Sequence, residues 1–521
     1  MLHNHETLWL NKWSGICQGR FETDVPAGFF RDAMNFYITS TGAIAPRSGF
    51  SSLSRTPDNF PPIAAYPMDW DGALNIFVST KAHVYRITFT IAEAVVWTLV
   101  HTWTTESVKC TFAPINASTA PYIVFGNGAN AMQKFDGTTT TALPADAPKG
   151  YPVAYKNYLA VFGISGYPGR VQFNINNGDP DVWLYGGIPR TLELQGTVTA
   201  IYPFTGLLIY TDRRTEMFHG DPNQAEGQSV LSETIGCVEH KTVVEAEGIL
   251  VWLSYSGITY WNGGGVFPTG ILSDPEGERI SNISEDMRRV SWQDRKLFSF
   301  TYNPVLRQLF AAIRLVEKDY SGTEFRTYMY DFYNQAWFPW DLEAYTMAVS
   351  ISPTSSRAMT LCGMSDGTIA YSQPGQSNAS HRDEKAASYR EFDYYIKSGA
   401  FDFGTLEHDK ILRAVTFRLS PTTGSEGIRE IKMSFFGDFL DAKTADTTEL
   451  SFGFVLGVGR LGDLLTGVED LERRRPIAIR AKHLAWKVQG KGSVNSMPIQ
   501  AIGLSYRPHS RRSTMIWNRD I

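Results

Sequence analysis

Two glycine-rich stretches in this 521-residue chain have the spacing of phosphate-binding loops. The first, Gly126-x-Gly128-x-x-Ala131, lies in YIVFGNGANAMQKFDG (122–137), and the second, Gly457-x-Gly459-x-x-Gly462, in SFGFVLGVGRLG (451–462). Glycines so spaced let the backbone approach a pyrophosphate, whose charge then faces the N-terminus of the next helix. After Gly126, AMQKFDG reads as the second strand of a hairpin, so these glycines serve chain reversal. After Gly457 the helical signals are better: Gly462 to Arg475, halted by Pro476. The acid needed for a ribose hydroxyl about 20 residues on is nevertheless missing. IAIRAKHLAW offers only Arg480, Lys482 and His483 there. No nucleotide site and no other cofactor is expected.

Other constellations are weaker. GISGYPG (163–169) departs from the G-x-S-x-G nucleophile elbow at its last position. No HExxH occurs, and His3 and His5 at the N-terminus suit only incidental metal binding. NNGDPDVW (176–183) is rich in oxygen ligands but lacks calcium-loop spacing, and reads as a turn. The adjacent acids Glu285/Asp286 and Glu469/Asp470 are flanked by arginines, which suits solvated charge clusters better than an acid/base pair across a cleft. Cys17, Cys110, Cys237 and Cys362 are too scattered for a zinc site or a disulfide framework. Four buried reduced thiols are expected, with synthesis in a reducing cytoplasm. No catalytic, cofactor-binding or metal-binding residue emerges, and the chain is not expected to be an enzyme.

The elements that would position any site are strands. Aromatics make up 13% of residues, and 45 Gly with 26 Pro punctuate the chain often, favouring short strands and tight turns. GALNIFVSTKAHVYRITF alternates apolar and polar residues about a central turn, the pattern of a hairpin with one buried face. Similar units recur to about residue 375. Landmark turns at Asp71-Gly72, Asp136-Gly137, Asn177-Gly178, Asn262-Gly263 and Asp366-Gly367 fall at intervals of 65, 41, 85 and 104 residues. These are loose multiples of the roughly 40–50 residues of a four-stranded propeller blade. The reading is an all-β chain: a β-propeller of about six or seven blades over 59–375, then a polar linker, 376–391. A separate β-sandwich over 392–521 follows, and residues 1–58 precede the propeller as an extended N-terminal segment.

The net charge of −5 hides an asymmetry: residues 471–521 hold eleven Lys/Arg against two acids, and the rest of the chain 37 against 51. An acidic body argues against tight DNA binding, which needs dense phosphate neutralisation. The basic segment suits a solvated or inter-subunit surface whose attraction weakens with salt. No stretch reaches the roughly 20 apolar residues of a membrane helix, and MLHNHETLWLNKW lacks the pattern of a secretory signal.

One segment carries more. GFFRDAMNFYITSTGAIAPRSGF (28–50) resembles the opening motif of tail proteins of double-stranded DNA phages, in which A-x-N-(aromatic) leads through G-x-(I/L)-x-x-R-x-G-F. The matching residues are Ala33, Asn35, Phe36, Gly42, Ile44, Arg47, Gly49 and Phe50. Stretches 155–163, 169–183, 235–275, 328–341 and 365–373 are also similar to that family's blades. The group it most resembles is the nozzle, or tail tubular, proteins of short-tailed phages. The resemblance implies a structural virion protein, assembled as a homo-hexamer below the portal and adaptor, that retains packaged DNA and conducts it during ejection. It also implies that the N-terminal segment 1–58 and the sandwich 392–521 form the platform domain that docks onto the adaptor. Implied partners are the adaptor or portal (head-to-tail connector) protein, tail fibre or tailspike proteins, and double-stranded DNA passing through the lumen without sequence-specific binding; no membrane is implied. Two other classes stay open: a receptor-binding or scaffold propeller at the tail tip, and a propeller-fold glycoside hydrolase.

Overall fold

A computed structural model describes residues 6–509 apart from 71, 90–94, 118–120, 224–226, 265–266, 276–280, 352–357, 373–381, 386–387, 402–408, 420–428, 438–449, 455–470 and 492–498. The alternating hairpins form seven consecutive antiparallel sheets, with strands in 64–102, 111–142, 151–193, 198–232, 244–271, 299–340 and 346–372. Each has four strands except the third, which gains the two-residue strand Leu184–Tyr185. First strands lie side by side between the second and third, third and fourth, fifth and sixth, and sixth and seventh sheets, and Thr346–Ile351 of the seventh lies against Ala64–Trp70 of the first, so the ring closes. This is a seven-bladed β-propeller. The ring follows from packing, because a twisted sheet that is apolar on both faces must be covered on both.

A hydrophobic cluster fills every seam between blades. Phe77 and Trp70 meet Phe125 and Phe135 between the first and second, and Ile76 and Val78 meet Leu361 and Met359 between the first and seventh. The glycines of the landmark turns all take positive φ, from 73° to 98°, where a side chain would be strained. In the quoted hairpin, Pro121–Gly126 pairs with Gln133–Phe135, and Asn127 Oδ1 accepts the amides of Ala129 and Asn130 at 3.1 and 2.9 Å. A Cβ on Gly126 would stand 2.4 Å from the Gly150 carbonyl oxygen, so this glycine is there for close packing against the third blade.

The fourth strand of the seventh blade comes from far upstream. Ser51–Arg55, within the segment read from sequence as N-terminal, pairs with Thr368–Ser372. The Trp97 indole of the first blade donates to Ser54 Oγ at 2.9 Å, pinning the closure from the other side of the seam.

Two further sheets form the platform, and N-terminal strands enter both. Phe36–Ile38 and Ile44–Pro46 join Ile499–His509, Asp409–Leu419 and Leu471–Ala481, with Glu6–Leu10 paired to Ile499–His509. Phe30–Met34 joins Asp393–Ser398, Leu484–Lys491, Arg429–Gly437 and Leu450–Phe454. Trp13 stacks on Phe30 and meets Trp486 edge-on between the sheets. The same core runs on into Phe310, Met329 and Trp340 of the sixth blade and Met347 and Cys362 of the seventh, so propeller and platform share one apolar interior.

The helix expected over Gly462–Arg475 is corrected in its last turn: Leu471–Ala481 is an edge strand paired with Asp409–Leu419. Ladder pairing overrides the helical propensity of Leu, Glu and Arg, and an edge tolerates Pro476 because its missing N–H costs no ladder bond. The rest of that helix and the Gly457 stretch lie outside the described residues. Inside the expected linker, Arg382–Lys385 and Ser388–Glu391 form a hairpin beside Ser51–Arg55.

Candidate functional site

The residues of the opening motif converge where propeller and platform meet. Asn35 stands between Phe30–Met34 of one platform sheet and Phe36–Ile38 of the other, with φ at +59°, so it is the point where the chain changes sheets. Asparagine tolerates this left-handed conformation better than most residues. It is fully buried, and its polar atoms are all engaged. Its amide donates to the Pro339 carbonyl at 2.9 Å and its Nδ2 to that of Asp393 at 2.7 Å. Its Oδ1 accepts Arg47 Nε at 2.9 Å and the Asp341 amide at 3.1 Å.

Arg47, with its side chain 0% exposed, completes the node. Its guanidinium grips Asp383 with two bonds of 2.8 and 2.6 Å, reaches Asp341 at 3.3 Å, and lies 3.8 Å from the centre of the Phe392 ring. Burial alone would lower its pKa, but the carboxylates of Asp383 and Asp341 more than offset this and hold it raised. Arginine suits such a site because its planar fork matches a carboxylate and it keeps its charge when buried. Of the other motif residues, Ala33, Phe36, Ile44 and Phe50 are buried in the shared core, and Gly42 turns the hairpin beyond it with φ at +79°. Asp341 and Asp383 could not be picked out from sequence, since nothing local ties either to Arg47.

A second tie corrects the reading of Asp286 as a solvated charge, whereas the Glu285 side chain stays 42% exposed beside an arginine. Asp286, on the short helix Ser284–Met287, accepts Gln18 Nε2 at 2.7 Å and the Tyr328 hydroxyl at 2.8 Å, and Glu285 pairs with Arg31 at 3.0 Å. These acids anchor N-terminal residues to the fifth and sixth blades. Glu469 and Asp470, with His3 and His5, lie outside the described residues. NNGDPDVW is a turn, with the Trp183 indole donating to the Pro180 carbonyl at 2.8 Å. All four cysteines are free and buried. Among the described residues no cluster of three or more His, Cys, Asp or Glu could hold a metal ion, and no helix is long and apolar enough to cross a membrane.

The blade-ring axis is occupied by residues 237–243, a turn containing the one-turn helix His240–Thr242. Lys241 Nζ donates to the Ile63 carbonyl at the start of the first blade, at 3.0 Å. Glu239 pairs at 2.8 Å with Lys109, which leads into the second. The His240 ring lies 5.3 Å from Phe162 of the third, the Val238 amide bonds Leu253 of the fifth, and the helix abuts Ser299–Asn303 of the sixth. A segment that touches so many blades lies across their common axis. The cost of these charges shows in their titration. Burial, helped by the nearby Lys109 charge, pushes His240 down to about 3, and burial pushes Lys241 down to about 8 against the opposing pull of Glu239.

Fold and joint thus define a class: a seven-bladed β-propeller locked to a two-sheet platform through its own N-terminal segment. No protein-family profile and no curated protein matches the sequence. Among solved structures, the chain is similar to U3-55K at 12% identity and a TM-score of 0.37, over 62% of this chain and 98% of that one. It is also similar to a quinonprotein alcohol dehydrogenase-like protein from Bacteroides thetaiotaomicron at 11% identity and a TM-score of 0.35, over 53% of this chain and 65% of that one. A third similarity is to an exo-beta-1,3-galactanase from Phanerochaete chrysosporium, at 11% identity and a TM-score of 0.28, over 88% of this chain and 99% of that one.

Proposed function

We propose that this chain is a structural protein of a phage tail: a nozzle subunit that assembles six-fold below the portal and adaptor, retains packaged DNA and conducts it on ejection. The observation that carries the reading is the joint built by the opening motif. Asn35 and Arg47, two residues on which the resemblance rests, fasten platform to propeller through buried polar bonds to Pro339, Asp341, Asp383 and Asp393. A subunit that holds back DNA under pressure has to transmit force between its parts without bending, and a fully satisfied buried network gives that stiffness.

The axial segment further refines the reading. Because Glu239, His240 and Lys241 lie across the blade-ring axis, a DNA conduit would run between copies of the chain and not through one propeller. An acidic body suits such a wall, since favourable phosphate contacts would slow passage.

Electron microscopy of the purified protein, alone and with its adaptor ring, tests the proposal. The expected result is six-fold rings with an axial opening wide enough for a DNA duplex. Protein that stays monomeric with the adaptor present would overturn it.

A further inference from the structure

On the flank of the axial segment, between the fourth and fifth blades, lies a cleft of about 340 Å³. Its floor is 233–236, and its walls are two tight turns, Asp212-Arg213 of the fourth blade and Tyr255-Ser256 of the fifth. The floor is held in place. The Trp252 indole donates to the Gly236 carbonyl at 3.0 Å, and a Cβ on Gly236 would stand 1.9 Å from the Thr211 carbonyl oxygen, so floor and wall touch backbone to backbone.

The walls are aligned by one guanidinium. Arg295 Nη1 donates to Asp212 Oδ1 at 3.2 Å and to the Tyr255 hydroxyl at 2.9 Å, and the Tyr255 ring meets Trp292 edge-on with centroids 4.9 Å apart. On the other side Glu233 pairs with Arg214 at 3.4 Å. Asp212 is thus paired with Arg295, and Glu233 shares Arg214 with Glu216, whose carboxylate lies 2.8 Å from that guanidinium. With Arg213, the carboxylates and guanidiniums in and around the cleft are equal in number, and 43% and 66% of the Asp212 and Glu233 side chains stay accessible. The Ser256 and Thr234 side chains add exposed hydroxyls, and Arg213 an exposed set of donors.

We propose that this cleft binds a neutral saccharide, one sugar ring at a time. Charge-balanced walls disfavour an ionic ligand, whereas fixed carboxylate acceptors beside guanidinium and hydroxyl donors match the vicinal hydroxyls of a sugar. An exposed tyrosine gives its C–H face an apolar surface. The volume lies at the low end of ligand sites, about 300–1,000 Å³, which limits the occupant to a small ring. This assignment is independent of the nozzle reading.

Saturation-transfer NMR with glucose, galactose, N-acetylglucosamine and rhamnose, each added alone to the full chain, tests it. At least one sugar is expected to bind weakly, with affinity falling about tenfold or more in Asp212→Ala and in Glu233→Gln. Ser256→Trp, which fills the mouth from an exposed turn, should abolish binding with the melting temperature unchanged. No binding by any of the four, or binding that survives Ser256→Trp, would overturn the proposal.

Discussion

Arg47 and Asp383 stand 336 positions apart in sequence, yet share two hydrogen bonds of 2.8 and 2.6 Å in the interior of the molecule. The pair joins the opening motif to the hairpin between propeller and platform, and its partners Asn35 and Asp341 extend it into both.

Removing one member leaves the other charge buried and uncompensated. Arg47→Ala should therefore destabilise the chain by about 3–5 kcal/mol. Arg47→Lys should cost less but still be harmful, because an ammonium cannot form the paired bonds to Asp383 while also reaching Asn35. Urea midpoints of the two variants and of Asp383→Asn check this.

The axial segment sets a pH dependence. The folded-state pKa of His240, about 3, lies below its ordinary value of 6.5, so below pH 6.5 the unfolded chain takes up a proton that the folded one refuses. Stability should fall as pH drops from 6.5 towards 3, by at most about 1.4 kcal/mol per pH unit from this residue. Lys241, at about 8 instead of 10.5, should make stability rise as pH climbs from 8 to 10.5, over which range the unfolded chain binds the extra proton. Denaturation midpoints across pH, with His240→Gln flattening the acid limb and Lys241→Met the alkaline one, are the check.

Gly126 is expected to reject a side chain for steric reasons. Gly126→Ala brings a methyl against the Gly150 carbonyl oxygen, and one blade must shift at a cost of about 1–3 kcal/mol. A matched loss of nucleotide affinity would contradict the hairpin reading. Calorimetry with ATP and NAD on the parent chain should give no heat of binding.

The thiols should be inert in the native protein. Burial pushes Cys110 and Cys237 up to about 12 and raises Cys17 and Cys362. Since the thiolate is the nucleophile, a colorimetric thiol reagent should report almost no reaction until denaturant is added, and then four thiols.

Blades were legible from sequence because their information is local: alternation within a strand and a glycine at each turn, as at Asp136-Gly137. What joins them was not. Ser51–Arg55 carries no mark of its partner Thr368–Ser372, and pairing across such a distance is fixed by which edge remains uncovered once the ring forms. Leu471–Ala481 misled because its arginines and leucine favour a helix in isolation, whereas its conformation is set by Asp409–Leu419. At the joint the motif singled out Asn35 and Arg47, but Asp383 sat in a polar stretch that looked solvated. Lys109, Glu239 and Lys241 went unnoticed for the same reason: lone charges show their burial only when distant blades surround them.

The closure of the seventh blade constrains how the chain can be made. Ser51–Arg55 leaves the ribosome before any blade exists, and Thr368–Ser372 is synthesised more than three hundred residues later. Phe30–Met34 and the outer edge of Ile44–Pro46 wait longer still, for strands between 393 and 509. Throughout translation these early strands are unpaired edges, ready to pair with a neighbouring nascent chain. Production of this protein should therefore depend on what shields its first fifty-five residues, by chaperone or by slow initiation, more than on the stability of any blade.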